Sequence, residues 1–292
     1  MPRLEHDALG ERQVPDGVYW GIHTLRAAEN FPVTGRTVHP SWIRALAEVK
    51  LAAARANGDL GLIPGETTAA LQAAAAEVAG GALVDQFPVD ALQGGAGTSL
   101  NMNMNEVLTN RALELLGHER GRYDVIHPVD HANRSQSTND TVPTALRIAA
   151  IRDVRALADE LANLQTALQK KEQEFAGVAK LGRTELQDAV PMTVGQEFSA
   201  WAEAIARDRW RLYKAEERLR QINLGGTAIG TGVGAERGYA AKAVEHLRRI
   251  TNLGLARAEN LIEATSNNDV LVEVSGLMKA CAANLAKLAA DL

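Results

Sequence analysis

The chain has 292 residues, 46% of them hydrophobic and 4% aromatic, a formal charge of −5 and one cysteine. That length and apolar content are enough for a large buried core, as in a globular protein. A net negative charge without clustered Lys and Arg argues against a nucleic-acid partner, the lone Cys281 rules out an intrachain disulfide, and no run of about 18 apolar residues is present to cross a membrane. The opening MPRLEHDALGERQ lacks the apolar core of a signal peptide, so the cytoplasm is the expected location.

The predicted elements are helices. Residues 42–58, 64–79 with Pro64 in the first turn, and 100–116 closed by Gly117 form short ones. From Val142, the apolar positions Leu146, Ala150, Val154, Leu157, Leu161, Leu164 and Leu168 step by three or four, which predicts one long helix. A second seam runs through Val194, Phe198, Trp201, Ile205, Leu212, Ala215, Leu219 and Ile222, interrupted where Asp208 takes an apolar slot. The third, Val270, Val274, Leu277, Cys281, Leu285, Leu288 and Leu292, has no Gly or Asn to end it, so the helical pattern is expected to be cut there. Cys281 on that stripe reads as an inert core thiol.

Abundant Ala and Leu with few aromatics suit closely packed helices, so the expected fold class is all-α. An N-terminal helical domain, 1–141, precedes a long-helix bundle, 142–292, incomplete at its end. Helices of thirty-odd residues span on the order of 45 Å, and their apolar seams predict a homo-oligomeric bundle.

Three polar stretches run directly into helices: QGGAGTSLNMNMNEVL (93–108), RSQSTNDTVPTA (134–145) and LGRTELQDAVPMTVGQE (181–197). Thr98 and Ser99 stand at the first helix start, Ser137, Thr138 and Asn139 at the second, and Thr184 lies upstream of a helix capped near Thr193. Helix N-termini offer unpaired N–H donors and a positive dipole end, so hydroxyls beside them are either ordinary caps or parts of a carboxylate site. Asn101, Asn103 and Asn105 are spaced two apart on a helix and cannot all face one ligand; they are expected to cross-link neighbouring helices or chains. GTAIGTGVG (226–234) matches neither GxGxxG nor a P-loop and reads as a turn lining the site. HPVDH (127–131) has no third spaced ligand, so no metal and no cofactor are expected.

These stretches, with VPDGVYWGIHTLRAAENFPVTG (14–35), DQFPVD (85–90), NLGGTAIGTG (223–232) and LIEATSNND (261–269), resemble the aspartase/fumarase superfamily along the whole chain, most closely its aspartate ammonia-lyases. QFPVD, GGAGTS (94–99) and AVPMT (189–193) look like the aspartase versions. The resemblance implies reversible elimination of ammonia from L-aspartate to give fumarate, in a homotetramer without a cofactor. Positions matching Thr98, Ser99, Ser137, Thr138 and Asn139 hold a dicarboxylate, and those matching Asn139, Thr184 and Glu185 surround the amino group. His23 falls in the family's Gly-x-His-Thr and is expected to organise the N-terminal segment.

Glu185 stands where family members commonly carry His or Gln, and a carboxylate there favours an ammonium-bearing substrate over malate. The family's base is a serine in Gly-Ser-Ser-x-Met-Pro-x-Lys-x-Asn-Pro, a pattern absent from these 292 residues. By the resemblance it belongs beyond Leu292, and the chain alone is expected to lack turnover. The competing expectations are a fumarate hydratase or another superfamily lyase, and a noncatalytic helical assembly module.

Overall fold

The computed structural model describes residues 2–292, which fall into two compact units, each discontinuous in sequence. One runs up to Ala149 and resumes over Arg220–Asn267; the other comprises Ala150–Leu219 and Asn268–Leu292. The sequence boundary after residue 141 falls inside helix α5 (Thr138–Glu174), because Val142 continues a helix that starts four residues earlier.

The first unit opens with an antiparallel hairpin, β1 (Arg3–Asp7) and β2 (Gly10–Val14), followed by α1 (Ile22–Asn30). The cap of α1 is Gly21, which has no side chain to accept the first-turn amides. Two buried carboxylates do so instead. Glu5 accepts from Ile22 N at 2.8 Å; Glu106 accepts from Gly21 N and His23 N at 2.8 Å, Thr24 N at 3.1 Å and the Thr24 hydroxyl at 2.6 Å. The orphan donors of that helix end are thereby met by side chains distant in sequence. Burial pushes the Glu106 carboxyl pKa up, against the pull of its donors. His23 enters through its backbone amide, consistent with an organising role.

Helix α2 (Pro40–Asp59) starts on a proline whose missing N–H would be unpaired there anyway. Its core residues Ala45, Ala47, Ala52, Ala53 and Ala56 are fully buried, and such small side chains let α3 (Gly65–Ala79) and α7 (Tyr239–Thr251) approach closely. α3 in turn packs on α4 (Thr98–Leu115). Cross-connections complete the unit: β5 (Gln221–Ile222) pairs in parallel with β6 (Ala256–Arg257), and α8 (Leu261–Ser266) follows.

Asp90, from the QFPVD motif, ties the chain just ahead of α4. Its carboxylate accepts from Thr34 N (2.6 Å), Gly35 N (2.8 Å), Leu92 N (2.8 Å) and the Thr34 hydroxyl (2.7 Å). Burial opposes ionisation, but these donors win and lower its pKa from 3.8 to about 2. A depressed carboxyl contributes stability that is complete above its unfolded pKa and lost as pH falls through the folded one. Asp90→Asn should therefore narrow its stability difference from wild type as pH drops from about 4 to about 2. Urea titrations at several pH values check this, and a difference independent of pH would exclude the linkage.

In the second unit, α6 (Val194–Leu219) packs against α9 (Asp269–Asp291). α9 buries Val274, Cys281 and Leu288, each seven residues from the next, the spacing of a helix seam. Cys281 is buried there, which pushes its thiol pKa up. The polar interruption of the α6 seam has a partner on each side: the fully buried Asp208 accepts from Arg211 at 2.9 Å and from Asn284 of α9 at 2.8 Å. α6 ends at Leu219, so Ile222, placed on the same seam by periodicity, lies in β5 instead. The stretch after α5 is also no polar loop. It forms an antiparallel hairpin of β3 (Ala179–Thr184) and β4 (Gln187–Thr193), exposed along most of its length, so no burial alternation marks it in the sequence.

Candidate active site

The glycine turn before α4 is shaped by backbone conformations that side chains disfavour: Gly95, Ala96 and Gly97 have φ of 69°, 53° and 93°. At Gly97 a β-carbon would lie 2.7 Å from Val142 Cγ1. That close approach sets the start of α4 directly against the first turns of α5. Thr98 is exposed, with its hydroxyl donating to Gly95 O at 2.6 Å, and Ser99 is buried. Gln93 bridges Asp90 to this turn, donating to Asp90 O at 2.8 Å and accepting from Leu100 N at 2.6 Å.

α5 begins with a reciprocal cap: Asn139 N donates to Ser137 Oγ at 3.2 Å, and Ser137 N donates to Asp140 Oδ1 at 3.0 Å. Pro143 lies in the second turn of this helix and has no N–H for the carbonyl of Asn139. The buried Asn223 fills that role from 2.9 Å through Nδ2, which also donates to Thr265 Oγ1 at 3.0 Å. The Asn139 side chain donates through Nδ2 to Ala228 O at 2.7 Å. Asp140 Oδ2 accepts from Gly225 N at 3.0 Å and Thr227 N at 3.1 Å. The Gly-rich turn is thus fastened to the head of α5. At Gly230 it also presses on α8, where a β-carbon would meet Ile262 Cα at 2.4 Å.

The alternating asparagines of α4 are all buried, and the Oδ1 atoms of Asn103 and Asn105 have no hydrogen-bond partner among the described residues. Asn101 accepts from Thr141 Oγ1 at 3.3 Å and donates to Asn133 Oδ1 at 3.2 Å; Asn103 donates to Gln86 O at 3.0 Å, and Asn105 to Met102 Sδ at 3.5 Å. Beside them Lys50 of α2 is wholly buried, donating to Asn133 Oδ1 and Gln136 Oε1, each at 2.9 Å. Burial lowers its pKa from 10.5 to about 7, while the charge of Asp140 acts the other way. Periodicity does not single out Lys50, Asp140 or Asn223. The available signal is a lysine flanked by Val49 and Leu51 in an alanine-rich helix, where a charged side chain needs buried partners.

The HPVDH segment is a π-helical turn (Pro128–Ala132), capped by His127 Nδ1 accepting from Val129 N and Asp130 N at 3.2 Å. His131 Nδ1 accepts from His127 N at 2.8 Å. Among the described residues, no group of three or more His, Cys, Asp or Glu is disposed to hold a metal ion.

Thr98, Ser99, Ser137, Thr138 and Asn139 belong to the first unit, whereas Thr184 and Glu185 belong to the second. Both lie at the exposed tip of the β3/β4 hairpin, where Glu185 and Leu186 have φ of 53° and 64°. A two-residue turn with both positions left-handed favours Asn-Gly, so Glu-Leu holds this tip under strain. Thr184 also borders a cavity of about 630 Å³ lined by Lys180, Arg183, Glu197, Lys287 and Asp291. As expected, Thr193 caps α6, accepting from Gln196 N at 3.1 Å while its own N–H donates to Gln196 Oε1 at 3.0 Å.

A mostly helical frame that brings two hydroxyl-rich helix starts together beside a glycine turn defines a class of scaffold suited to small anions. Comparison supplies the family: residues 10–292 match the family model described as Lyase, and the chain belongs to that family. It is 48% identical over 290 residues to an aspartate ammonia-lyase of Bacillus sp, covering 99% of this chain and 62% of that relative. A fumarate lyase:delta crystallin from Brucella melitensis, solved bound to cobalt, superposes with a TM-score of 0.97 at 47% identity, covering 100% of this chain and 64% of the other. The class II fumarase of Schistosoma mansoni matches at 0.94 and 34%, with coverages of 100% and 64%. The chain therefore spans less than two thirds of the length of these relatives.

Proposed function

We propose that the full-length protein is a carbon–nitrogen lyase converting L-aspartate reversibly to fumarate and ammonia, with this chain carrying part of the substrate site. The observation that carries the reading is the contact at Gly97, which puts the Thr98–Ser99 start of α4 against the α5 start bearing Ser137, Thr138 and Asn139. Elimination moves the C3 proton to a base, forms the C=C bond and expels the amino group, with the developing charge carried by the adjacent carboxylate. Hydroxyls and helix amides are neutral donors suited to that charge. Asn139 spends its Nδ2 on Ala228 O, which leaves Oδ1 as an acceptor for the substrate ammonium. The family resemblance assigns Thr184 and Glu185 to the same group, as an oxygen ligand and a countercharge. The base is assigned to no residue of this chain. The reading includes a homotetramer acting in the cytoplasm, without a cofactor.

Because a class II fumarase shares the fold, the substrate is decided by side chains. Glu185 favours an amino substrate: a carboxylate attracts an ammonium and gains nothing comparable from a hydroxyl. The full-length protein should form fumarate from L-aspartate much faster than from L-malate, as followed by ultraviolet absorbance; a preference for malate overturns the assignment. Glu185→Ala should weaken aspartate up to about fivefold, in the range of a solvent-accessible ion pair, and leave succinate, which has no ammonium, nearly unchanged. Equal losses for both ligands would remove Glu185 from the site.

A further inference from the structure

We propose that Asp140, which binds nothing in the reading above, is a positioning residue of the active site: its carboxylate locks the Ser137–Asn139 turn and the Gly225–Ala228 turn into one arrangement. The inference rests on the assignment of the α5 start to substrate binding. Asp140 is fully buried, and its partners are backbone amides on both sides, Ser137 N at 3.0 Å on Oδ1, and Gly225 N and Thr227 N at 3.0 and 3.1 Å on Oδ2. All three are donors that cannot accept. Only a group with acceptors in both directions satisfies them, which an ionised carboxylate does and an amide does not. Asparagine here must aim its NH₂ at one set of N–H groups, breaking either the α5 cap or the clasp on the glycine turn.

Further contacts depend on that clasp. The Asn139 side chain is held by that turn at Ala228 O, and its carbonyl by Nδ2 of Asn223, two residues ahead of the turn. Once the turn is released, the Asn139 side chain is free to rotate its amide, and the acceptor offered to the ammonium is no longer fixed. Burial pushes the Asp140 pKa up; the three amides and the charge of Lys50 oppose it. Lys50 is itself seated on Asn133 and Gln136, four and one residues before Ser137, so the countercharge is fixed to the segment it serves. A further titratable neighbour is Tyr239, whose buried hydroxyl has no hydrogen-bond partner among the described residues.

The test uses the full-length protein with Asp140→Asn, and Asp140→Glu in case the amide variant does not fold. Glutamate keeps the charge and the cap but lengthens the arm, so its effect should be intermediate. In Asp140→Asn, KM for L-aspartate and the calorimetric Kd for succinate should rise about tenfold to a hundredfold, the scale of an ångström-level misplacement. Amide exchange should accelerate at Gly225 and Thr227 while α2 and α3 keep their protection. A residue that merely stabilised the fold would lower the active fraction, and so apparent kcat, at constant KM and Kd. That pattern, or unchanged local exchange, overturns the proposal while the function stands; a wild type that neither turns over aspartate nor binds succinate removes both.

Discussion

Gly97→Ala is expected to lower stability by about 3 kcal/mol and to weaken succinate binding to the full-length protein. Two penalties act together. A left-handed backbone costs a residue with a β-carbon about 1–2 kcal/mol, and overpacking a filled contact costs about 1–3 kcal/mol. Here φ is 93° and the added carbon would meet Val142 Cγ1 at 2.7 Å, so neither penalty is avoidable without moving the glycine turn or α5. The two are separable. Val142→Ala in the Gly97→Ala background removes the clash and leaves the backbone strain, so it should return roughly half of the loss, whereas on its own it destabilises by creating a void. Urea denaturation of the four proteins measures the coupling. Additive effects of the two substitutions would mean that the helix starts do not depend on this contact.

Glu106→Ala should be the most damaging single change in the first unit, at about 3–5 kcal/mol, the range for removing one partner of a buried charged network. Four donors converge on that carboxylate, and Gly21 at the cap has no side chain to replace it. Truncation leaves three backbone amides and a threonine hydroxyl buried without an acceptor. Glu106→Gln keeps the volume and one acceptor oxygen, so only one side of the cluster loses its partner and the loss should be smaller. With about 2–4 °C of melting temperature per kcal/mol in a protein of this size, the alanine variant should melt around 10 °C lower. Amide exchange at His23 and Thr24 locates the damage, and protection there equal to wild type would show that α1 is held by other means.

The long helices were readable because each buries one stripe along many turns, as the spacing of Val154, Leu161 and Leu168 in α5 shows. α7 has a comparable stripe in Tyr239, Ala243, Leu247 and Thr251, but it starts at Gly238 without a capping side chain to announce it. α1 is nine residues long and capped from Glu5 and Glu106, so its stability is set by groups that no local window contains. Exposed β3 and β4 carry no hydrophobic alternation. The polar residues at the starts of α4 and α5 stood out as clusters, and resemblance supplied their roles. Lys50, Asp140 and Asn223 did not stand out, because what makes them matter is partners between about 80 and 90 positions away, as Lys50 with Asn133 and Asp140 with Gly225 illustrate.

Pro143 gives the site a history-dependent constraint. By withholding one N–H it opens the carbonyl of Asn139, and Asn223 occupies the opening. A lineage that replaced the proline would close the ordinary helical bond and leave Asn223 with a surplus buried donor; one that replaced Asn223 first would strand the carbonyl. Either single step is disfavoured and the pair together is tolerable, so positions 143 and 223 should be exchanged in concert, and a graft of this helix start into another protein of the family must carry both.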